Sequence, residues 1–164
     1  MKEYPELYGA QFETRLGWIE ATTSEHGLCS VRALDEAPAQ PCSHSHPILA
    51  ACATQLDEYF QGTRKTFDVP LDAGGTPFQQ TVWKALRAIP YGTTATYGEL
   101  ARKLGMPTAS RAVGAANGRN PIWVIVPCHR VVGASGALVG YAGGLSRKMQ
   151  LLDLEKKHSG NSLF

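Results

Sequence analysis

The feature that most constrains this chain is the reversal of its charge at Asp72-Ala73-Gly74-Gly75. Residues 1–75 carry 5 basic and 11 acidic side chains, whereas residues 76–164 carry 11 basic and 3 acidic ones. Within 101–150 there are seven Lys or Arg and no Asp or Glu. A glycine pair just after Pro70, at the point where the sign changes, marks a linker. The chain therefore reads as two units, 1–75 and 76–164. A basic second unit suits a polyanion partner such as nucleic acid, although a solvated basic face has the same composition. With 164 residues, 43% of them hydrophobic, there is enough chain for a core in each unit. No apolar run approaches the ~18 residues of a membrane span, and a cytoplasmic, membrane-free protein is expected. The four cysteines, Cys29, Cys42, Cys52 and Cys128, are irregularly spaced, which argues against a disulfide framework.

In the first unit, 16–22 and 28–34 read as strands joined around Glu25-His26-Gly27, with Cys29, Val31 and Ala33 on one face. Ile48, Cys52, Leu56, Tyr59 and Phe60 recur at helical spacing. Cys42-Ser43-His44-Ser45-His46 offers sulfur and imidazole to a metal. It lacks a fourth ligand and has an uncommon spacing, so a solvated loop is the better reading.

In the second unit, Thr76 and Gln79 form a capping box around Pro77, and Phe78, Val82, Leu86 and Ile89 follow as an apolar stripe ending at Pro90. Thr96 and Glu99 form another box, which opens a short helix that ends near Gly105. A third helix is expected from Thr108 or Ala109 to Asn117, with Ala109, Ser110, Ala112, Ala115 and Ala116 around Arg111. Short helix, glycine turn, short helix is a helix-turn-helix pattern, shared with many domains that never touch DNA. The run Ile122 to Val126 reads as a buried strand, stopped by Pro127. Cys128, His129 and Arg130 follow, a thiol beside two groups that favour the thiolate. An inert core cysteine is the bland alternative. A last helix, with Ser146 as its cap, is expected to bury Leu145, Met149 and Leu152. Glu155 lies near that face, and His129 and Arg130 compete as its partner.

Pro127-Cys128-His129-Arg130 between Asn120-Pro121 and Gly140-Tyr141-Ala142-Gly143-Gly144 resembles the methylated-DNA-protein-cysteine methyltransferases, the O6-alkylguanine-DNA alkyltransferases, in their bacterial housekeeping form. The likeness is dense from Thr76 to Glu155, through Tyr91-Gly92, Thr96-Tyr97-Gly98-Glu99-Leu100 and Arg111-Ala112-Val113-Gly114-Ala115, and looser upstream. It implies an α/β N-terminal domain of ribonuclease H-like topology and a mainly α C-terminal domain with a winged-helix-like helix-turn-helix.

The resemblance also implies a function: direct-reversal repair, in which Cys128 takes the alkyl group from O6-alkylguanine irreversibly, once per molecule. O4-alkylthymine stays open as a second substrate. Glu155, His129 and a water would yield the thiolate, Tyr97 would protonate the guanine at N3 and press on its phosphate, and Asn120 would brace the turn. Arg111 would fill the stack, on a helix that meets the minor groove through Ala109 and Ser110. The carbonyls of Cys128 and Val131, the amide of Ala142 and the ring of Tyr141 would form the base pocket. The implied partner is duplex DNA, acted on by a monomer with no cofactor. Some relatives have serine where Ala142 stands, which removes a side-chain donor to O6. Some bind a structural zinc where Ser24 and Cys29 stand, so no metal is expected there. A hydrolase using the same Cys and His, a non-catalytic damage-binding protein and a transcription factor remain the competing classes.

Overall fold

The computed structural model describes residues 6–42, 46–136 and 144–160. The chain separates into two compact units, Met1–Gly74 and Gly75–Phe164.

The first unit is a three-stranded antiparallel sheet with one helix. Strands β1 (Tyr8–Thr14), β2 (Gly17–Thr23) and β3 (Leu28–Ala33) form a meander in the order β1-β2-β3. The first strand is an addition to the sequence reading, although Tyr8, Ala10 and Phe12 alternate with Gly9, Gln11 and Glu13 in the manner of a half-buried strand. Its register, with Ala10 opposite Ala21 and Phe12 opposite Ile19, shows that pairing to β2 defines it. Helix α1 (Pro47–Phe60) buries Leu49, Cys52, Leu56, Tyr59 and Phe60, and Ala10, Ile19, Ala21, Leu28 and Val31 complete that core. The chain then returns beside Leu28: Leu28 N donates to Pro70 O (2.8 Å) and Asp72 N to Leu28 O (2.7 Å). Gly27 permits this approach, since a Cβ there would lie 2.8 Å from the Leu71 carbonyl carbon.

The second unit is mainly helical. Helix α2 (Pro77–Arg87) has the Thr76/Gln79 capping box and buries Val82, Trp83 and Leu86. Helix α3 (Tyr97–Lys103) has the Thr96/Glu99 box. Gly105, at φ 71°, makes the turn that leads to α4 (Ser110–Gly118). Trp83 Nε1 donates to Ala116 O at 2.9 Å and fastens α4 to α2. A parallel two-residue pair joins β4 (Ala95–Thr96) to β5 (Val131–Val132), which brings the start of α3 beside the residues that follow Cys128. Helix α5 (Leu145–His158) closes the unit.

Two expectations are corrected here. Residues 122–126 are buried but form no strand. Val126 N bonds Ile122 O and Ile125 N bonds Trp123 O, so the segment coils on itself, with Val124 at φ 68°. An apolar run reports burial without fixing which partner takes its backbone groups. In α5 the buried residues are Lys148, Leu151 and Glu155, while Leu145 and Met149 are about half exposed. The N-cap is Gly144, not Ser146, and no side chain caps the helix. Two of the three inward positions are charged, so apolar periodicity pointed to the wrong side.

Candidate active site

Cys128 opens a single 3-10 turn, Cys128–Arg130, and is 6% exposed. The turn is held from upstream by Asn120. Its Oδ1 accepts from Ile122 N (2.9 Å), and its Nδ2 donates to Val126 O (2.7 Å) and, at 3.3 Å, to Ile122 O. The side-chain amide thus serves backbone groups that a sheet ladder would otherwise take.

His129 is fully buried and Glu155 nearly so. Sequence left His129 and Arg130 as rival partners for this carboxylate, and the fold supplies both. His129 Nε2 lies 2.6 Å from Glu155 Oε2. Arg130 donates through Nε to Oε1 (2.8 Å) and through Nη2 to Oε2 (3.0 Å). Arg130 Nη1 also donates to Ile89 O at 2.7 Å, and Gly92 N donates to Glu155 Oε1 at 3.1 Å. Burial pushes the Glu155 carboxyl up, but the bonds and charges of His129 and Arg130 outweigh it and hold the pKa at about 2. For His129, burial dominates and lowers the pKa, with Arg130 and Lys148 adding to the effect and Glu155 opposing it. An ionised Glu155 only accepts, so the proton of a neutral His129 sits on Nε2. Nδ1 is then a buried lone pair, and it bonds no atom among the described residues.

Both shifts act on stability in one direction. The unfolded chain binds more protons than the folded one from about pH 6.5 downward, first at His129 and then at Glu155. Stability is therefore present in full above that pH and is lost as the pH falls towards 2. Urea unfolding measured from pH 7 to pH 3 is expected to show a midpoint that falls throughout; a midpoint unchanged down to pH 4 would contradict the buried dyad.

Lys148 is a site residue that sequence reading missed. Its ammonium is fully buried and donates to Val131 O at 2.6 Å. Burial lowers its pKa, and the Cys128 thiolate acts in the opposite sense, so the cation lies within electrostatic reach of the sulfur. The signal available was its position seven residues before Glu155, on the same helical face. Val131 is buried, and its N donates to Cys128 O. Both carbonyls named for the base pocket, those of Cys128 and Val131, thus already accept hydrogen bonds, from Val131 N and Lys148 Nζ.

Tyr97 is the first residue of α3. Burial raises its pKa, the Cys128 charge raises it further, and a hydrogen bond from Asn117 lowers it. On α4 the exposed residues are Arg111, Ala112, Ala115 and Gly118, while Ala109 and Ser110 are half-buried. Arg111 thus stands on a face of small side chains. Tyr141 and Ala142 lie outside the described residues. So does His44. Cys42 is exposed, and its backbone pairs with Gln11. His46 is the N-cap of α1, its Nδ1 accepting from Ile48 N. Ser24 donates to Asp72 Oδ2 at 2.6 Å, and the Cys29 thiol faces Gly27 O at 3.6 Å.

Residues 77–157 match the profile of the 6-O-methylguanine DNA methyltransferase DNA-binding domain, and residues 7–73 that of the ribonuclease-like domain of the same proteins. The chain belongs to this family. A Mycobacterium bovis methylated-DNA–protein-cysteine methyltransferase is 51% identical over 143 residues, covering 84% of this chain and 87% of its own. The Methanosarcina acetivorans protein of the same name is 49% identical, with 91% and 98% covered. The crystal structure of Mycobacterium tuberculosis OGT in complex with DNA superposes with a TM-score of 0.81 at 46% identity, over 92% of this chain and 93% of that one. The family fold, a small sheet domain followed by a helical domain, is the one described above. Family membership makes this chain a DNA-repair methyltransferase. No helix among the described residues is long and apolar enough to cross a membrane.

Proposed function

We propose that this protein repairs O6-alkylguanine in duplex DNA by moving the alkyl carbon onto Cys128 Sγ, once per molecule. The carrying observation is the buried His129–Glu155 pair behind Cys128, with Nδ1 of His129 left as an acceptor. The Cys128 proton passes to that nitrogen through a water. Arg130 keeps Glu155 ionised, Glu155 fixes the His129 tautomer, and the Lys148 ammonium favours the thiolate electrostatically. The thiolate attacks the alkyl carbon, the carbon–O6 bond breaks, and its electron pair leaves with the guanine, which takes a proton at N3 from Tyr97.

The thiol of a residue only 6% exposed cannot reach O6 inside a duplex, so the nucleotide must leave the stack. The face of α4 suits the minor groove: Ala109, Ser110, Ala112 and Ala115 allow close approach, and Arg111 enters the gap in the stack. All the groups used come from one chain, and a monomer suffices. No metal or organic cofactor takes part. The compartment is the cytoplasm, where the thiol stays reduced.

The product is a neutral thioether, a poor leaving group, so the sulfur is not regenerated. Mass spectrometry of the protein mixed with DNA containing O6-methylguanine is expected to find one methyl on the Cys128 peptide, one per protein, and no turnover. An unmodified Cys128, or methyl release to solvent, would refute the reading.

A further inference from the structure

We propose that Gly92 is a positioning residue for His129: its backbone N–H completes the donors around the Glu155 carboxylate, which keeps His129 neutral with Nδ1 open to the Cys128 proton. This rests on reading His129 as the base for Cys128.

The loop between α2 and β4 meets the buried ion pair through two backbone atoms. Ile89 O accepts from Arg130 Nη1 at 2.7 Å, and Gly92 N donates to Glu155 Oε1 at 3.1 Å. Between them in sequence, the Tyr91 ring centroid lies 5.6 Å from Arg130 Cζ, within cation–π range. Residues Pro90 to Thr93 make a turn, closed by Thr93 N donating to Pro90 O at 3.1 Å. Gly92 is its third residue, at φ 78°. A turn alone would also accept asparagine there, and α5 imposes the stricter condition. A Cβ on Gly92 would fall 2.5 Å from Ser159 Cβ, far inside the ~3.5–4.0 Å of packed carbons. Bare backbone at this point therefore lets the amide come close enough to α5 to reach the carboxylate.

Among the described residues, the donors that reach Glu155 are His129 Nε2, Arg130 Nε, Arg130 Nη2 and Gly92 N. An ionised carboxylate has about four lone-pair sites, so this set fills them. Each donor stabilises the anion. With its charge shared in this way, Glu155 draws less strongly on a second proton at His129, the proton that would occupy Nδ1. The charged and titratable groups facing the pair are Cys128 and Arg130 from the turn, Lys148 from α5 and Tyr91 from the loop. Arg130 and Lys148 oppose protonation of His129 by their charge. Gly92 acts in the same sense through Glu155, and it does so with a neutral group.

The test replaces the amide of Gly92 by an ester, with glycolic acid in place of the glycine, which deletes the N–H and keeps the bare backbone. A second protein carries the ester at Thr93 instead, which deletes the bond to Pro90 O in the same turn and leaves the Gly92 N–H in place. In both, the acid limb of the single-turnover rate–pH profile for methyl transfer is measured, together with the nitrogen NMR titration of the His129 ring. The ester at Gly92 is expected to move the limb and the titration upward by about half to one pH unit, with transfer slowed roughly 3–10-fold within the limb and little on the plateau. The ester at Thr93 should lower the melting midpoint and leave both pH readouts where they are in the parent. Gly92→Ala, which meets Ser159, should move the limb in the same direction and also lower the midpoint. A limb unmoved by the ester at Gly92, or moved equally by both esters, would overturn the proposal. A His129→Ala protein as fast as the parent would instead remove His129 as the base.

Discussion

Replacing Cys128 by alanine is expected to abolish alkyl transfer while leaving DNA binding in place. The α4 residues proposed to face DNA lie outside the Cys128–Arg130 turn, and Val126 O and Val131 N anchor that turn through backbone atoms of residue 128 that alanine also has. Loss of one sulfur from a packed site costs the fold on the order of 1 kcal/mol. The single-turnover rate, by contrast, should fall by about six orders of magnitude, the scale seen when a catalytic nucleophile is deleted. Stopped single-turnover assays and fluorescence anisotropy on the same O6-methylguanine duplex separate the two effects. Transfer within 100-fold of the parent would mean that another nucleophile accepts the alkyl group. Affinity lost together with transfer would mean that the thiol turn also shapes the DNA surface.

Glu155→Ala is expected to damage both the fold and the chemistry. This carboxylate receives His129, both Arg130 bonds and the Gly92 amide, all in a buried setting. Deleting it strands the Arg130 guanidinium, and breaking a buried pair from one side costs ~3–5 kcal/mol. For a domain of this size each kcal/mol corresponds to roughly 4–8 °C in Tm. A drop of more than about 12 °C is therefore expected in calorimetry, with transfer lost in whatever protein remains folded. Glu155→Gln preserves shape and one acceptor but turns an N–H towards either His129 or Arg130, so it should fall between the parent and Glu155→Ala. A Tm shift below about 4 °C for Glu155→Ala would show that Arg130 finds another partner.

The parts of this protein that were legible in its sequence are those governed by local rules. Both capping boxes and the Gly105 turn depend on neighbouring residues, and they stand where the pattern placed them. Cys128-His129 and the pairing with Glu155 were readable because few residue types perform that chemistry. What was misread depended on distant partners. In the 122–126 segment an asparagine side chain bonds the backbone of Ile122 and Val126, and apolarity alone does not distinguish this from a strand. Helix α5 faces inward with Lys148 and Glu155, inverting the usual rule, because a buried carbonyl and a buried histidine–arginine pair wait to receive them.

Glu155 lies 26 residues downstream of His129, on the last helix. During synthesis the chain emerges from its N-terminus, and upstream parts can fold before downstream ones exist. The thiol turn and helices α2 to α4 are therefore synthesised before Glu155 and Lys148. Until α5 docks, Cys128 lacks the neighbours proposed to favour its thiolate, the reactive form of a cysteine. On the reading proposed above, a molecule in which α5 has not docked lacks the activators of its one-use nucleophile. The reactivity of the sulfur becomes a mark of completed folding.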